Sequence, residues 1–386
     1  MKIVFTGGGT GGHFYPIIAV AEALTAQLEA ERRLPPSLYF MAPGPYDEQA
    51  LFESNIAFIK SPAGKVRRYK ALSNITDFFV TLSGVVWAFF KLLDLGPDVV
   101  FSKGGYGSVP TVLAAALLRI PIVIHESDSR PGRANLLASK YAKRIAITYP
   151  DSLQYFPKKT QKNIAVTGIP IRALLQQTQA QGAAQELGLE SSIPTILILG
   201  GSTGSVKIND TILTALPDLV SFSNVIHQTG KNNFKETELT SGIVLKNNPN
   251  ASRYHVFPYL TKDSMRQAAG VATLVISRAG STSITEISLW HKPSILIPIP
   301  ESISHDQKTN AYAYARSGAA AVLEEENMTP HVLASEAKRI SLDPQLCAKM
   351  GELGSSFANP RSAEIIAREL ITIASSHLPK EGVLPA

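Results

Sequence analysis

The sequence predicts an α/β protein made of two Rossmann-like domains with parallel sheets, facing each other. Three observations predict it. Short apolar runs and helix-period segments alternate along the chain, as they do when helices wrap a parallel sheet. Each half opens on a strand that runs straight into a glycine-rich turn, IVFTGGGTGGH at residues 3–13 and ILILGGSTG at 196–204. With 386 residues the chain can also fill two cores. The expected boundaries are 1–168 for the first domain and 169–359 for the second. Residues 360–386, which include a final amphipathic helix at 363–373, are expected to pack back on the first domain.

Bulk properties narrow the function classes. Hydrophobic residues make up 45% and charged residues 18%, the balance of a soluble globular chain. The single cysteine, Cys347, excludes a disulfide framework and a cysteine-based metal site, and it suits a reducing compartment. A strand begins almost at residue 1, so no secretory leader is expected. A net charge of +6 is too mild for a nucleic-acid binder. Clustered, the same charge suits an anionic lipid surface or a pyrophosphate.

The first strand (residues 3–5) feeds a loop in which only Thr10 carries a side chain beyond glycine, and a helix then runs through Ile17, Val20, Ala21 and Leu24. Strand, glycine turn and helix start make an anion-binding loop, because the backbone can come close and the first helical N–H groups stay unpaired. Gly7, Gly9 and Gly12 formally satisfy the dinucleotide pattern G-x-G-x-x-G. The second strand (38–41), however, ends in Ala42-Pro43-Gly44, with no acid to hold a ribose. A phosphate-bearing or sugar ligand fits better than a nicotinamide cofactor, with Thr10, Gly11 and Gly12 around it and His13 delivered to it.

A short helix at 47–54 and a strand at 57–59 follow. The basic loop 60–70 then holds Lys60, Lys65, Arg67, Arg68 and Lys70 and no acid. Beyond it Ile75, Phe78, Phe79, Leu82, Val86, Phe89 and Phe90 recur at helical spacing, and this stripe reads as the face docked on the sheet. Val80 and Trp87 fall off the stripe, and with the basic loop they form a candidate patch for an anionic membrane. The apolar stretch 78–90 is too short to span a bilayer. A strand at 98–101 enters a second glycine turn, KGGYGSVP at 103–110, and a strand at 122–124 delivers His125-Glu126-Ser127-Asp128. In open α/β sheets ligands sit beyond the carboxyl ends of strands. His13, Tyr106, His125, Glu126 and Asp128 are therefore expected in one crevice, although His125-Glu126 would also suit a pair that only holds its own turn.

Strands at 145–148 and 165–166 lead to TGIPIR at 167–172 and a glutamine-rich helix expected over 173–187. The second half repeats the strand–helix alternation and reaches SRAGSTSITE at 277–286. There Arg278 ends a strand, and Ser281, Thr282 and Ser283 open a helix, the right place for a pyrophosphate. Glu286, one turn in, can accept both hydroxyls of a ribose, while Gln307 and Asn310 can hydrogen-bond sugar hydroxyls. Nothing resembles a metal-ligand set, and no cofactor is expected. Positive helix ends would stabilise a departing nucleoside diphosphate. The chemistry suggested is group transfer.

The series GGTGGHFYP, GGYGSVP, HESD with PGRAN, TGIPIR, GGSTGS, HQTGK, SRAGSTSITE, PIP with HDQ, and SGAA resembles the MurG family from residue 1 to about 374. These are bacterial inverting glycosyltransferases of GT-B architecture. They move N-acetylglucosamine from UDP-N-acetylglucosamine to an undecaprenyl-pyrophosphoryl-muramoylpentapeptide in peptidoglycan synthesis. The resemblance implies a peripheral protein at the cytoplasmic face of the cell membrane, with the donor on the second domain. It implies that Glu286 takes the ribose, that Ser202, Arg278, Ser281 and Ser283 surround the diphosphate, and that Leu260 offers backbone atoms to uracil. Asp306 and Gln307 would meet the sugar, and Arg172 matches the interdomain motif on the donor side. Tyr106, Asn135 and the loop at Asp128 would meet the lipid-linked acceptor. Where the family usually has H-E-Q-N, this chain has His125-Glu-Ser-Asp128, so a carboxylate replaces an amide. Three residues remain candidates for the base that deprotonates the acceptor hydroxyl: His13, Glu126 and Asp128. A related UDP-sugar transferase acting on another lipid is the alternative activity.

Overall fold

The computed structural model describes residues 1–65, 73–201, 204–302 and 306–376, without the side chains of 73–75. The chain divides into two compact units, Met1–Arg172 with Arg361–Ala386, and Ala173–Pro360. Each is an α/β unit around a fully parallel sheet, the fold class expected.

In the first unit the chain runs β1 (Lys2–Thr6), α1 (Gly11–Ala30), β2 (Ser37–Ala42), α2 (Glu48–Glu53), β3 (Ile56–Lys60), α3 (Ser73–Leu95) and β4 (Val99–Ser102). It continues through α4 (Val109–Leu117), β5 (Ile122–Glu126), α5 (Arg133–Ala138), β6 (Arg144–Ile147) and β7 (Ile164–Val166). The sheet order is β3-β2-β1-β4-β5-β6-β7. Central strands read as unbroken apolar runs because both faces are covered: β4 and β5 are buried at every residue. The order reverses between β1 and β4, so a crevice opens beyond their carboxyl ends. Their last paired residues are Thr6 and Ser102.

The second unit begins with α6 (Ala173–Gln176) and α7 (Ala183–Glu186), then β8 (Thr195–Leu199), α8 (Val206–Phe222), β9 (Asn224–Gln228), α9 (Phe234–Val244) and β10 (Tyr254–Phe257). After these come α10 (Lys262–Val271), β11 (Leu274–Arg278), α11 (Ser281–Leu289), β12 (Ser294–Ile297), α12 (Gln307–Ala315), β13 (Ala320–Val322), α13 (Pro330–Ser341) and α14 (Pro344–Ser355). The order β10-β9-β8-β11-β12-β13 repeats that of the first sheet, with the reversal between β8 and β11. Here Leu199 pairs with Ser277. The last helix, α15 (Ser362–Ser375), returns to the first unit. Its Ile366, Leu370 and Ile373 share a core with Phe14, Ile17 and Leu24 of α1.

Two expectations are corrected. The stripe on α3 is largely undocked: Phe89 packs partly against the core, as does Trp87, expected in the outward patch, but most of the stripe does not. Phe78, Phe79, Phe90 and Leu93 are 60, 61, 63 and 60% exposed, and Leu82 and Val86 are exposed with them. The buried strip is instead Gly84, Ala88 and Leu92. A Cβ on Gly84 would overlap the Pro62 carbonyl and lie 3.2 Å from the Pro110 ring, so the helix is held by close backbone approach and not by its large side chains. The apolar part of α3, Thr76–Leu95, is also long enough to cross a bilayer by length and composition, unlike the shorter stretch expected. The second correction is the glutamine-rich helix. It survives only as α6 and α7, because the chain between them is pinned to α10. Gln179 N–H donates to Arg266 O at 3.0 Å, Arg266 Nε donates to Gln177 O at 3.1 Å, and Gly270 makes room for the passing backbone. Of the segment expected to pack back on the first domain, residues 377–386 lie outside the described residues.

Candidate active site

The first unit gathers its polar groups at the reversal between β1 and β4. The two glycine loops that leave these strands touch. Gly105 has φ +79, and a Cβ there would sit 2.6 Å from Gly8 O, so only glycine fits. Tyr106 lies against Gly9. Thr10 precedes α1 in an extended conformation and makes no side-chain cap, which leaves the helix start open.

His13 lies in the first turn of α1, its Nδ1 2.9 Å from Thr10 Oγ1. With the proton on Nδ1, His13 donates to Thr10 and keeps Nε2 as an acceptor. Burial, and then the positive charge of Lys103, pull its pKa down to about 4, against an upward pull from Asp128. The imidazole is therefore neutral at any physiological pH.

Asp128 is half-buried in the loop after β5. Glu126 is buried, and its oxygens accept from Asp128 N at 3.0 Å, Gly132 N at 3.0 Å and Asn135 Nδ2 at 2.9 Å. Burial first, and Asp128 second, push its pKa up to about 7, while its N–H donors pull it down. Asn135 is itself buried, and its amide also donates to His125 O at 3.1 Å. Glu126 and Asn135 thus knit the 126–135 loop together from within. His125, expected in the crevice, is fully buried instead, and its Nε2 donates to Gly168 O at 2.8 Å. Ser362 Oγ donates to the same carbonyl at 2.7 Å, so this histidine fastens the loop holding Gly168. Arg172 is bound to Glu22 of α1 through Nε and Nη2, with Nε at 2.9 Å.

In this unit one buried charged residue escaped the reading of the sequence. Lys103, directly after β4, is 1% exposed and donates to Ser127 Oγ. Burial first pulls its pKa down to about 8, and Glu126 and Asp128 pull it back up. A lysine heading a glycine turn at a central strand end was the available signal.

The second unit builds a different crevice at its own reversal. Gly280 precedes α11 without a side-chain cap, and no acid lies in the first turn, so the N–H groups around Ser281 and Ser283 suit an anion. Ser281 Oγ accepts from Asn310 Nδ2 at 2.8 Å, and Asn310 is fully buried. Asn310 therefore supports Ser281 where a contact to sugar was expected. On the other loop a Cβ at Gly204, φ +78, would overlap the Thr229 carbonyl. Ser202 and His305 lie outside the described residues.

Arg278, expected at the diphosphate, is buried and engaged on three sides. It donates to Ser205 Oγ at 2.6 Å and to Ile297 O at 3.2 Å, and it pairs with Glu325. Ser205 also caps α8 through Ile208 N at 3.3 Å, so Arg278 braces the glycine loop after β8 from behind. Glu286 is half-buried one turn into α11, and burial raises its pKa to about 7. The Leu260 N–H donates to Gln228 Oε1 at 2.9 Å, and Gln228 Nε2 reaches Gly201 O at 3.5 Å. The sequence reading gave Gln228 no role, yet it ties the glycine loop after β8 to the Leu260 backbone. Gln307 Oε1 accepts from Ile299 N at 3.2 Å, and Asp306 is half-buried beside it in sequence. Among the described residues no group of three or more His, Cys, Asp or Glu is placed to hold a metal ion.

Comparison with known proteins agrees with this division. The glycosyltransferase family 28 N-terminal domain matches residues 3–147, and the glycosyltransferase family 28 C-terminal domain matches 195–363. A Treponema denticola protein described as UDP-N-acetylglucosamine--N-acetylmuramyl-(pentapeptide) pyrophosphoryl-undecaprenol N-acetylglucosamine transferase is 33% identical, over 95% of this chain and 96% of its own. The crystal structure of Acinetobacter baumannii MurG superposes with a TM-score of 0.71 at 26% identity, covering 96% of this chain and 99% of that one. The S. aureus MnaA–UDP co-structure has a TM-score of 0.69 at 16% identity, covering 96% and 95%, a likeness of fold.

Proposed function

Since the chain belongs to glycosyltransferase family 28, we infer that it transfers N-acetylglucosamine from UDP-N-acetylglucosamine to an N-acetylmuramyl-(pentapeptide) pyrophosphoryl-undecaprenol acceptor. The observation that carries the reading is the match to that transferase across nearly the whole of both chains. Two open helix starts, each beside glycine turns, support it chemically.

In this reading the second unit holds the donor. The α11 N-terminus, with Ser281 and Ser283, takes the diphosphate, Glu286 takes the ribose, and Leu260 meets the base. Asp306 and Gln307 meet the sugar. As the bond from C1 to the diphosphate breaks, charge gathers on the leaving UDP, and aligned N–H dipoles stabilise it. The first unit supplies the acceptor side. His13 Nε2 takes the acceptor hydroxyl proton as that oxygen bonds to C1, and the displacement inverts the anomeric centre. Glu126, held by three N–H donors and short of charge at neutral pH, keeps the loop in place.

The acceptor's lipid gives α3 a task. Its outer face presents Phe78, Phe79, Leu82, Val86 and Phe90 to solvent, and contiguous exposed apolar faces of this kind mark membrane or partner surfaces. Exposed Lys60, Lys65 and Lys91 flank it, and Gly64 N–H donates to Thr81 Oγ1 at 3.1 Å, which presses the basic loop onto the helix. The remaining basic residues of the expected patch, Arg67, Arg68 and Lys70, lie outside the described residues. An apolar face edged by lysines lies flat in an anionic membrane. The buried strip Gly84, Ala88 and Leu92 keeps α3 on its unit, so the helix rests on the bilayer and does not cross it.

Transfer of labelled N-acetylglucosamine from UDP-N-acetylglucosamine to a short-chain lipid-linked acceptor tests the activity. Transfer only to other lipids, or binding of NAD in place of UDP, rejects it. Phe79→Ser/Phe90→Ser should release the protein from anionic vesicles, and unchanged co-sedimentation moves the membrane surface elsewhere.

A further inference from the structure

We propose that Tyr46 is a specificity-determining residue for the acceptor: its hydroxyl donates a hydrogen bond to a phosphate oxygen of the acceptor's pyrophosphate at the start of α1. This role rests on the first unit taking the lipid-linked acceptor. Among the described residues five other than glycine have a positive φ: Arg32, Tyr46, Asn55, Arg119 and His291. Four of them stand two residues after the end of α1, α2, α4 and α11, where helices ordinarily close in the left-handed conformation. Tyr46 follows no helix. Its φ is +60, and the Asp47 N–H donates across it to Pro45 O at 2.8 Å. A three-residue turn of that hand is rare and strained, and glycine would take it at no steric cost. The chain places a phenol ring there instead.

That ring is held from several sides. Its centre lies 5.3 Å from that of Phe14 and 5.9 Å from that of Tyr15, both on α1. Tyr15 Oη donates to Asp47 Oδ2 at 3.0 Å, and Asp47 Oδ1 caps α2 through Ala50 N at 2.9 Å. At the other end of the loop, a Cβ on Gly107 would lie 2.8 Å from Pro43 Cδ. Residues 43–46 therefore form a third wall, against Gly11 of the first glycine loop and Gly107 of the second.

The hydroxyl is the part without a partner. Tyr46 is 45% exposed, and a Cβ on Gly11 would sit 2.9 Å from its Oη, so the phenol tip stands beside the first residue of α1. Among the described residues this hydroxyl makes no hydrogen bond. The start of α1 has no side-chain cap and no acid in its first turn, which favours an anion. An anion seated there meets the helix N–H groups and the phenol O–H together. In the lipid-linked acceptor that anion is the pyrophosphate. Backbone strain kept at such a place is strain kept for binding.

The test is a calorimetric titration of the full chain with geranyl pyrophosphate, run with saturating UDP so that the start of α11 is filled. Wild type should bind. Tyr46→Phe should bind about ten-fold more weakly, the worth of a hydrogen bond to a charged group, with an unchanged Tm and UDP affinity. Geraniol, the tail alone, should not tell the two apart. Equal affinities for geranyl pyrophosphate overturn the proposal, and so does a wild type that does not bind it. In transfer assays Tyr46→Phe should raise the acceptor KM by the same factor and leave the donor KM in place. An acceptor KM that rises while pyrophosphate binding stays put overturns the phosphate contact. Binding that depends on Tyr46 without transfer to the muramoyl acceptor upholds the contact and rejects the activity read for the chain.

Discussion

The two sheets share one strand order, and each plants a buried cation at the end of the strand beside its reversal. What differs is the kind of cation. The second unit uses Arg278, whose planar fork reaches Ser205, Ile297 O and Glu325 at once. A guanidinium stays charged at any working pH and holds a geometry, which suits the brace of a glycine loop. In the first unit Lys103 reaches Ser127 among Glu126, Asp128 and His13. An ammonium is a point charge that burial readily perturbs, and here it sits among titratable side chains. One fold position thus holds a rigid three-way brace in one unit and a buried point charge in the other.

The comparison breaks most sharply at His13. If the first unit handles the proton, His13→Ala should lower kcat by ~10²–10⁴-fold while UDP affinity by calorimetry stays near wild type. A variant that turns over normally would move proton transfer away from this unit's helix start. For the second unit, Glu286→Ala should raise the donor KM more than it lowers kcat. A charge-assisted bond is worth ~1.5–3 kcal/mol, and a ribose contact persists from ground state to transition state. An unchanged KM would place Glu286 outside the donor site.

The pH profile sharpens the assignment of the base. A base works deprotonated, so kcat at saturating donor should hold as pH falls through 7 and drop only towards pH 4, where burial and Lys103 place His13. Loss centred near pH 7 would instead follow Glu126, which burial raises to about 7. Saturating donor matters because Glu286, raised to about 7 by burial, titrates in the same window. The smallest effect belongs to Gln228. Removing its amide frees the Leu260 N–H and loosens Gly201, so Gln228→Ala should raise the donor KM about five-fold, the worth of ~1 kcal/mol. An unchanged KM would make this link incidental.

Most strands and both glycine turns were legible in the sequence, because buried parallel strands are apolar runs and the turns are spelt in glycine. The orientation of α3 was not. Helical periodicity marks an apolar face but does not say whether anything covers it, and here Gly84 and Ala88 won the inner side by being small enough for Pro62 and Pro110 to approach. The 173–187 segment lost its helix to α10, a contact between stretches about ninety residues apart that no local propensity reports. Strand β13 is only three residues long and drew no notice. In the site, residue types were read well and directions poorly. His125, Asn135, Asn310 and Arg278 all have the polarity for a ligand, but each spends it on a backbone or side-chain partner inside its own unit. Lys103 was passed over for the opposite reason: a lysine in sequence looks like surface, and only the fold puts it under the glycine loop.

The return of α15 carries a consequence for synthesis. The second unit is an insertion within the first, since the chain leaves at Arg172 and comes back at Arg361. A ribosome releases residues from the amino end, so the whole inserted unit emerges while the first unit still lacks Ile366, Leu370 and Ile373 beside α1. The part begun first is therefore the part completed last, its core open to solvent until the final helix arrives. A nascent chain stopped at Pro360 would carry a finished second unit and an unfinished first one.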